Sequence, residues 1–319
     1  MANTTVSLAN EVQVYYHKKF LENLKKDLIF KTFTREYDIP KMMGPSIYFT
    51  RYTRINGSAT ANQLSEGVTP AGTDLSDSRV SATVTQHGDF TTVTDLLLNV
   101  QIQGANQFIE NAVDEMSYSA RDTIDLLTRN AFNAGTNVSF VGAAAALSDV
   151  AGSTSIMTAA DIRKMVRTLR KRDVLTWDGQ HYAWIIAPGQ QYDLLSETTT
   201  GAWLDANKYT TMENIVKGEI GRLYGVRFWV NTNLSSISQS GTVSETYAFG
   251  KDAVGSVNLT DLSKASRKQN NISLYIKHPD DSTTSDPLNQ RVTVGWKLQY
   301  AAVVLDDARL QKYVVGETA

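Results

Sequence analysis

The side chains able to do chemistry in this sequence are scattered rather than gathered. Its four histidines are His17, His87, His181 and His278, and no H-E-x-x-H or H-x-H spacing puts two of them on one face of an element. His181, between Gln180 and Tyr182, is weighed as a catalytic residue against a partly buried structural or surface histidine, and the second reading is the simpler one. There is no cysteine, so a thiolate nucleophile, a disulfide and a cysteine-based zinc site are excluded. No G-x-S-x-G marks a nucleophile elbow. Gly250 and Lys251 are followed by Asp252, without the upstream glycine or the Ser/Thr of a phosphate-binding loop. Gly218, Gly221 and Gly225 do not have the dinucleotide spacing and read as turn glycines. The acid pairs Asp280–Asp281 and Asp306–Asp307 are raw material for a cation site, but no other ligands stand near them, and solvated turns explain them better. No catalytic residue, cofactor-binding residue or metal ligand is therefore assigned.

One cluster stands out. Arg163, Lys164, Arg167, Arg170, Lys171 and Arg172 crowd one helical stretch. Such a face can meet DNA non-specifically or an acidic patch on a neighbour. The plainer reading is a solvated face whose cations lie toward the negative end of the helix dipole.

The elements that would position these residues follow from patterning. Residues 1–44 read as an arm with helical tendency: Val12, Tyr15, Tyr16, Phe20 and Leu24 recur at helical spacing, and seven cations mix with five anions. Ile47–Ile55 and Arg79–Gln86 read as strands separated by a loose stretch holding Gly57, Gly67, Pro70 and Gly72. A lone two-stranded ribbon is marginal in water, and a long loop in a compact domain has a job. The ribbon is therefore expected to lie on a neighbouring subunit, with Tyr48, Arg51, Tyr52, Arg54, Gln63, Glu66 and Arg79 as contact residues. Gly104–Phe132 is the clearest helix, apolar at Ile109, Met116, Ile124 and Leu127, with Gly135 beyond its end. At 1.5 Å per residue it would be about 40 Å long.

Gly142–Gly152 reads as a small-residue linker into an α/β region. There Thr158 and Asp161 resemble a capping box, Ile162, Val166 and Leu169 face inward, and Ala183–Ala187 is a buried strand stopped by Pro188 and Gly189. Tyr224–Asn231, Tyr247–Phe249 and Ile272–Ile276 are further strands. Residues 291–305 alternate strictly, with Val292, Val294, Trp296, Leu298 and Tyr300 on one face.

The totals fit one large or two connected soluble domains: 319 residues, 42% hydrophobic, 20% charged, formal net charge −2. That balance does not advertise a nucleic-acid-binding domain. The N-terminal MANTTVSL has neither basic nor apolar region of a signal peptide, and no apolar run is long enough to span a bilayer, so no membrane partner is expected.

The order arm, ribbon, long helix, α/β region, returning strand resembles the major capsid proteins of tailed phages, an α+β architecture called the Johnson or Hong Kong-97-like fold. Gln63–Pro70 (QLSEGVTP), Thr83–Phe90 (TVTQHGDF), Tyr224–Phe228 (YGVRF) and Asp286–Lys297 (DPLNQRVTVGWK) are similar to the podophage N-four-type coat protein subfamily. The resemblance implies an N-arm at 1–45, an E-loop ribbon with flanking strands at 46–98, and a spine helix with P-domain at 99–140. It also implies an A-domain at 141–290 and a P-domain return strand with the C-terminus at 291–319. It further implies an icosahedral virion shell of hexamers and pentamers, made in the host bacterial cytoplasm around double-stranded DNA. Expected partners are other copies of the chain, a separate scaffolding protein, a portal at one vertex, a decoration protein and the packaged DNA. Some relatives join a lysine to an asparagine covalently; residues 46–94 hold no lysine, so that ribbon chemistry is not available here. Two other readings stay open from the sequence: an encapsulin-type nanocompartment shell, and an enzyme with an unmarked site.

Overall fold

The computed structural model describes residues 28–197, 219–259, 272–277 and 288–318, leaving out 41, 54, 56, 58–61, 70, 71, 101–104, 143, 153, 239, 240 and 289. The expected helical spacing at Val12–Leu24 lies outside the described residues.

The described course of the chain begins against the body of the fold. A single helical turn, α1 (Ile29–Thr32), leads into β1 (Arg35–Ile39). Phe30, Phe33 and Ile39 are buried. The helical pattern expected up to residue 44 gives way here because these apolar side chains have sheet faces to cover, and tertiary burial overrides local periodicity. A ribbon of β2 (Ser46–Tyr52) and β3 (Asp77–Thr83) follows, then β4 (Thr85–Thr94), α2 (Asp95–Val100) and the long α3 (Ala105–Asn133). The remaining elements are β5 (Val138–Phe140), α4 (Ala159–Lys171), β6 (Tyr182–Ile186), α5 (Pro188–Ser196), β7 (Glu219–Leu223), β8 (Val226–Val230), β9 (Ser235–Ser238), β10 (Thr242–Phe249), β11 (Val254–Leu259), β12 (Ile272–Lys277), β13 (Arg291–Val304) and β14 (Leu310–Gly316).

Two sheets organise the body. The five-stranded sheet runs β1-β11-β13-β12, with β4 also paired to β13. The seven-stranded sheet runs β5-β14-β10-β6-β8-β7, with β9 paired to β10. The strict alternation of 291–300 is realised in β13: Val292, Val294, Trp296, Leu298 and Tyr300 are all buried. The last four pack against Ile109, Val113, Ala120 and Ile124 of α3. Inside this layer the Thr128 and Tyr300 hydroxyls hydrogen-bond at 2.7 Å. Burial pushes the Tyr300 phenol up to about 12.

The seven-stranded sheet is covered on both faces, as a sheet with helices on each side must be. One face carries α4 and α5, whose Ile162, Met165, Leu169 and Leu194 lie with Trp184, Phe228 and Tyr313. The other face carries Phe30 and Phe33 and the end of α3, with Phe132 among Tyr247, Phe249 and Trp229. Ring centroids there lie 5.5 Å apart for Phe30–Phe132, 5.0 Å for Phe132–Phe249 and 4.7 Å for Phe33–Trp229.

Two expectations about small residues change. Pro188 and Gly189 end the strand but also open α5, because proline fits the first helical turn, where no N–H partner is needed. The stretch at 142–152 is open over most of its length but packed at its end: a Cβ on Gly142 would meet nothing within 4 Å, whereas one on Gly152 would come within 2.6 Å of Gly241 Cα, and one on Gly316 within 2.3 Å of the Gly152 carbonyl oxygen.

Candidate assembly surfaces

The ribbon is anchored on one face and open on the other. Ile47, Phe49 and Val84 pack with Ala82 onto Ile39, Val257, Ala301 and Val303, so the stem rests on the chain's own five-stranded sheet. Arg51, one step further along the inward face, is held by Asp306. Asp306 also accepts from Arg309 Nε at 3.1 Å and from the Ala308 N–H. The opposite face shows Tyr48 and Tyr52, both more than 60% exposed, and the Arg79 guanidinium lies 5.5 Å from the Tyr48 ring centre. Gln63 and Glu66 are exposed in the connecting loop with Leu64, Val68 and Leu75. Arg54 lies outside the described residues. Of the ribbon residues read from sequence, Tyr48, Tyr52, Gln63, Glu66 and Arg79 thus face solvent, while Arg51 has a partner in its own chain.

The basic residues form a real surface on α4. Thr158 begins this helix: its N–H and hydroxyl donate to Asp161 Oδ2 at 3.2 and 2.7 Å. Asp161 also accepts from the Gly142 N–H and the Tyr313 hydroxyl, at 3.0 and 2.6 Å, which pins the helix to the sheet. The inward stripe turns Arg163, Lys164, Arg167, Arg170 and Lys171 out to solvent. Lys164 Nζ donates to the Gly142 carbonyl, and Arg172 to Gln311. Tyr224, at φ +50° beside Gly225 at φ +82°, meets the Arg163 guanidinium with 5.4 Å to its ring centre. Arg163, Arg167, Arg170, Lys171 and Tyr224 line a shallow groove of about 660 Å³.

The remaining chemistry-bearing residues are spent on structure. His181 Nδ1 lies 3.0 Å from Asp178 Oδ2, which Arg227 Nε approaches at 3.1 Å. Burial alone would raise the Asp178 carboxyl, but N–H donors from His181 and Gln180 and the imidazole hold it below the usual range. His87 Nε2 meets the Thr85 hydroxyl. Asp307 takes the Thr136 N–H and the Asn137 amide at 2.9 and 3.1 Å, so the pair Asp306–Asp307 serves the chain's own turns. His17, His278, Asp280 and Asp281 lie outside the described residues. Among the described residues no three His, Asp or Glu side chains gather as a metal site, and no helix is long and apolar enough to cross a membrane.

One structurally important residue carried no signal in the sequence. Asp125, buried on α3, accepts from the Phe30 N–H at 3.0 Å and the Asn231 amide at 2.8 Å. Asn233 joins through Asp122 at 2.7 Å, and Arg129 donates to the Asn233 carbonyl at 3.1 Å. Burial pushes the Asp125 carboxyl up against the pull of these donors. The junction ties the entering segment, the long helix and the end of β8 together. Its partners stand 95 and 106 residues from Asp125, out of reach of any local pattern.

A ribbon, a long helix under a five-stranded sheet and a two-faced α/β layer together define a Hong Kong-97-like capsid subunit. Comparison with known structures agrees. The capsid protein of Ralstonia phage GP4 is similar over 92% of each chain, at TM-score 0.69 and 12% identity. That of cyanophage Pam1 is similar over 93% of each chain, at TM-score 0.65 and 14% identity. The SrpI encapsulin of Synechococcus elongatus shares the fold at TM-score 0.59 and 8% identity, over 92% of this chain and 89% of that one. No curated protein matches the chain by sequence. The family model described as phage capsid protein matches residues 44–276, well over half the sequence, and the chain belongs to that family. It is a major capsid protein of the tailed-phage type, a structural component of the virion shell.

Proposed function

We propose that the chain acts by self-assembly alone, as hexamers and pentamers that close into an icosahedral head around double-stranded DNA, and that it catalyses no reaction. The observation that carries this reading is the ribbon. Its stem is fixed to the body, yet its outer face and loop hold Tyr48, Tyr52, Leu64, Val68 and Leu75 in solvent. Exposed apolar side chains in such number mark an interaction surface rather than a free loop. In this reading residues 46–98 are the intersubunit strap and α3 lines the inside of the shell. The α/β layer at 141–290 gathers at the capsomer axis, and Arg51 braces the strap from within its own subunit. A separate scaffolding protein, a portal and a decoration protein complete the assembly.

The likeness to an encapsulin supports a second reading, a shell around protein cargo. Velocity sedimentation of the purified chain, with negative-stain electron microscopy of the fast fraction, tests the proposal. Uniform closed particles that co-purify with nucleic acid when made in an infected host are expected. A sharp monomer that persists at high concentration with a scaffold co-expressed overturns it, and a single co-purified enzyme in closed particles favours the second reading.

A further inference from the structure

Four cations crowd one side of α4. Arg163, Arg167, Arg170 and Lys171 are all exposed, at steps of four, three and one along the helix. Steps of three and four put side chains on a common face. Guanidinia elsewhere on the surface meet carboxylates: Arg35 lies against Asp252, Arg51 and Arg309 against Asp306, and Arg227 against Asp178. Among the described residues no carboxylate pairs with Arg163, Arg167, Arg170 or Lys171. Residues 198–218 hold Asp205 and Glu213 against Lys208 and Lys217, so they bring no net charge to the groove. Like charges at this spacing destabilise the helix that carries them. An anion seated among them relieves that repulsion.

The other wall of the groove is built for the purpose of holding a ring there. Tyr224 and Gly225 form the two-residue turn between β7 and β8, both at positive φ. Asn or Asp before Gly is the usual choice for such a turn. A tyrosine adopts this backbone at a cost, and here it sets its ring over the helix, 5.4 Å from the Arg163 guanidinium. The Arg170 guanidinium lies across Gly225, 3.6 Å from where a Cβ would stand. The groove is also short. Arg163 to Lys171 is eight residues, about 12 Å of helix. Acids bound it at both ends: Asp161 and Glu197 hold the start of the helix, and Asp173 follows its last turn.

We propose that this groove is a binding site for a compact polyphosphate solute, with Arg167, Arg170 and Lys171 holding the phosphoryl oxygens. Guanidinium forks match phosphate geometry and form the stronger, charge-assisted hydrogen bonds. Two sources share this chemistry, an inorganic polyphosphate and the triphosphate of a nucleotide; for the second, the exposed part of the Tyr224 ring and Val166 offer a surface to the base. A nucleic acid fits less well. Its phosphate track is continuous and would run on from the row of cations into the acids at either end. The groove also lies on the face of the seven-stranded sheet opposite the end of α3. On the shell reading α3 lines the inside, so α4 faces away from the packaged DNA and toward solvent. Only that last step rests on the shell reading; the binding itself belongs to the single subunit.

Calorimetric titration of the full-length subunit at low salt, with inorganic tripolyphosphate and separately with ATP, tests it. A single saturable site is expected for both probes. Arg167→Ala with Arg170→Ala should weaken it about tenfold or more, since charge-assisted contacts are lost. Lys277→Ala with Lys297→Ala removes the same charge from exposed positions outside the groove and should leave the affinity within about twofold. Tighter binding of ATP than of tripolyphosphate, lost in Tyr224→Ser, identifies the nucleotide as the source; equal binding identifies the inorganic anion. Three results overturn the proposal: no saturable binding of either probe, equal weakening by the two double variants, which is diffuse attraction only, or displacement of both probes by a short DNA duplex at lower concentration than either, which makes the face a nucleic-acid surface. The titration is read on subunits, so its failure leaves the shell reading standing, and failure of the chain to form particles leaves the site standing.

Discussion

The core between α3 and the seven-stranded sheet and the ribbon of β2 and β3 are built from similar residues put to opposite use. In the core, Phe30, Phe132, Tyr247 and Phe249 are buried to the last ring edge, and Asp125 spends its carboxylate on the Phe30 N–H and the Asn231 amide. In the ribbon, Tyr48 and Tyr52 stand in water, and the Arg79 guanidinium lies near the Tyr48 ring. The core is finished within one chain. The ribbon is finished on its inner face alone, where Phe49 lies 4.7 Å from Tyr37, ring centre to ring centre. The contrast separates residues that make the subunit fold from residues that make subunits meet.

The contrast breaks most readily at Phe132. Phe132→Ala removes a ring that touches Phe30, Tyr247 and Phe249. It should cost about 3–5 kcal/mol of subunit stability in a urea titration, the range for large-to-small core changes. Particle yield should fall only as the folded fraction falls.

Next is the junction. Asp125→Ala strands the Phe30 N–H and the Asn231 amide and should cost about 1–3 kcal/mol. Its pH dependence sharpens the point. Burial raises the folded carboxyl above the unfolded value of 3.8. A raised carboxyl makes the folded state bind the proton more readily than the unfolded one. Its contribution to stability is therefore greatest at low pH and declines as pH rises from 3.8 through the folded value. Urea titrations across that interval should show this slope in the wild type and lose it in Asp125→Asn.

The reverse behaviour is expected of the ribbon. Tyr48→Ser with Tyr52→Ser should leave free-subunit stability within about 0.5 kcal/mol, as exposed substitutions do. The same variant should form few particles by sedimentation. Smallest of all, Arg167→Ala with Arg170→Ala on α4 should also stay within about 0.5 kcal/mol, since both are exposed and neither anchors the helix. Unchanged particle yield and DNA content would assign this face to solvent.

The parts of the molecule that could be read from sequence are those whose partners repeat along the chain. β13 announced itself by alternation and α3 by its apolar stripe, because each packs one continuous face. The basic row was legible as a helix face for the same reason. Asp125 and the Arg51–Asp306 pair were not, because each joins residues far apart in sequence and no local pattern encodes such a meeting. Phe30 and Phe33 carried no periodic signal of their own, and only the sheet face they cover makes them core.

The central claim is that the ribbon is completed by a neighbour. Limited proteolysis with mass mapping of residues 55–77, on free subunits and on assembled particles, tests it most directly. Rapid cutting in free subunits and protection of the same bonds in particles is the predicted result. Equal cutting in both states would contradict the account.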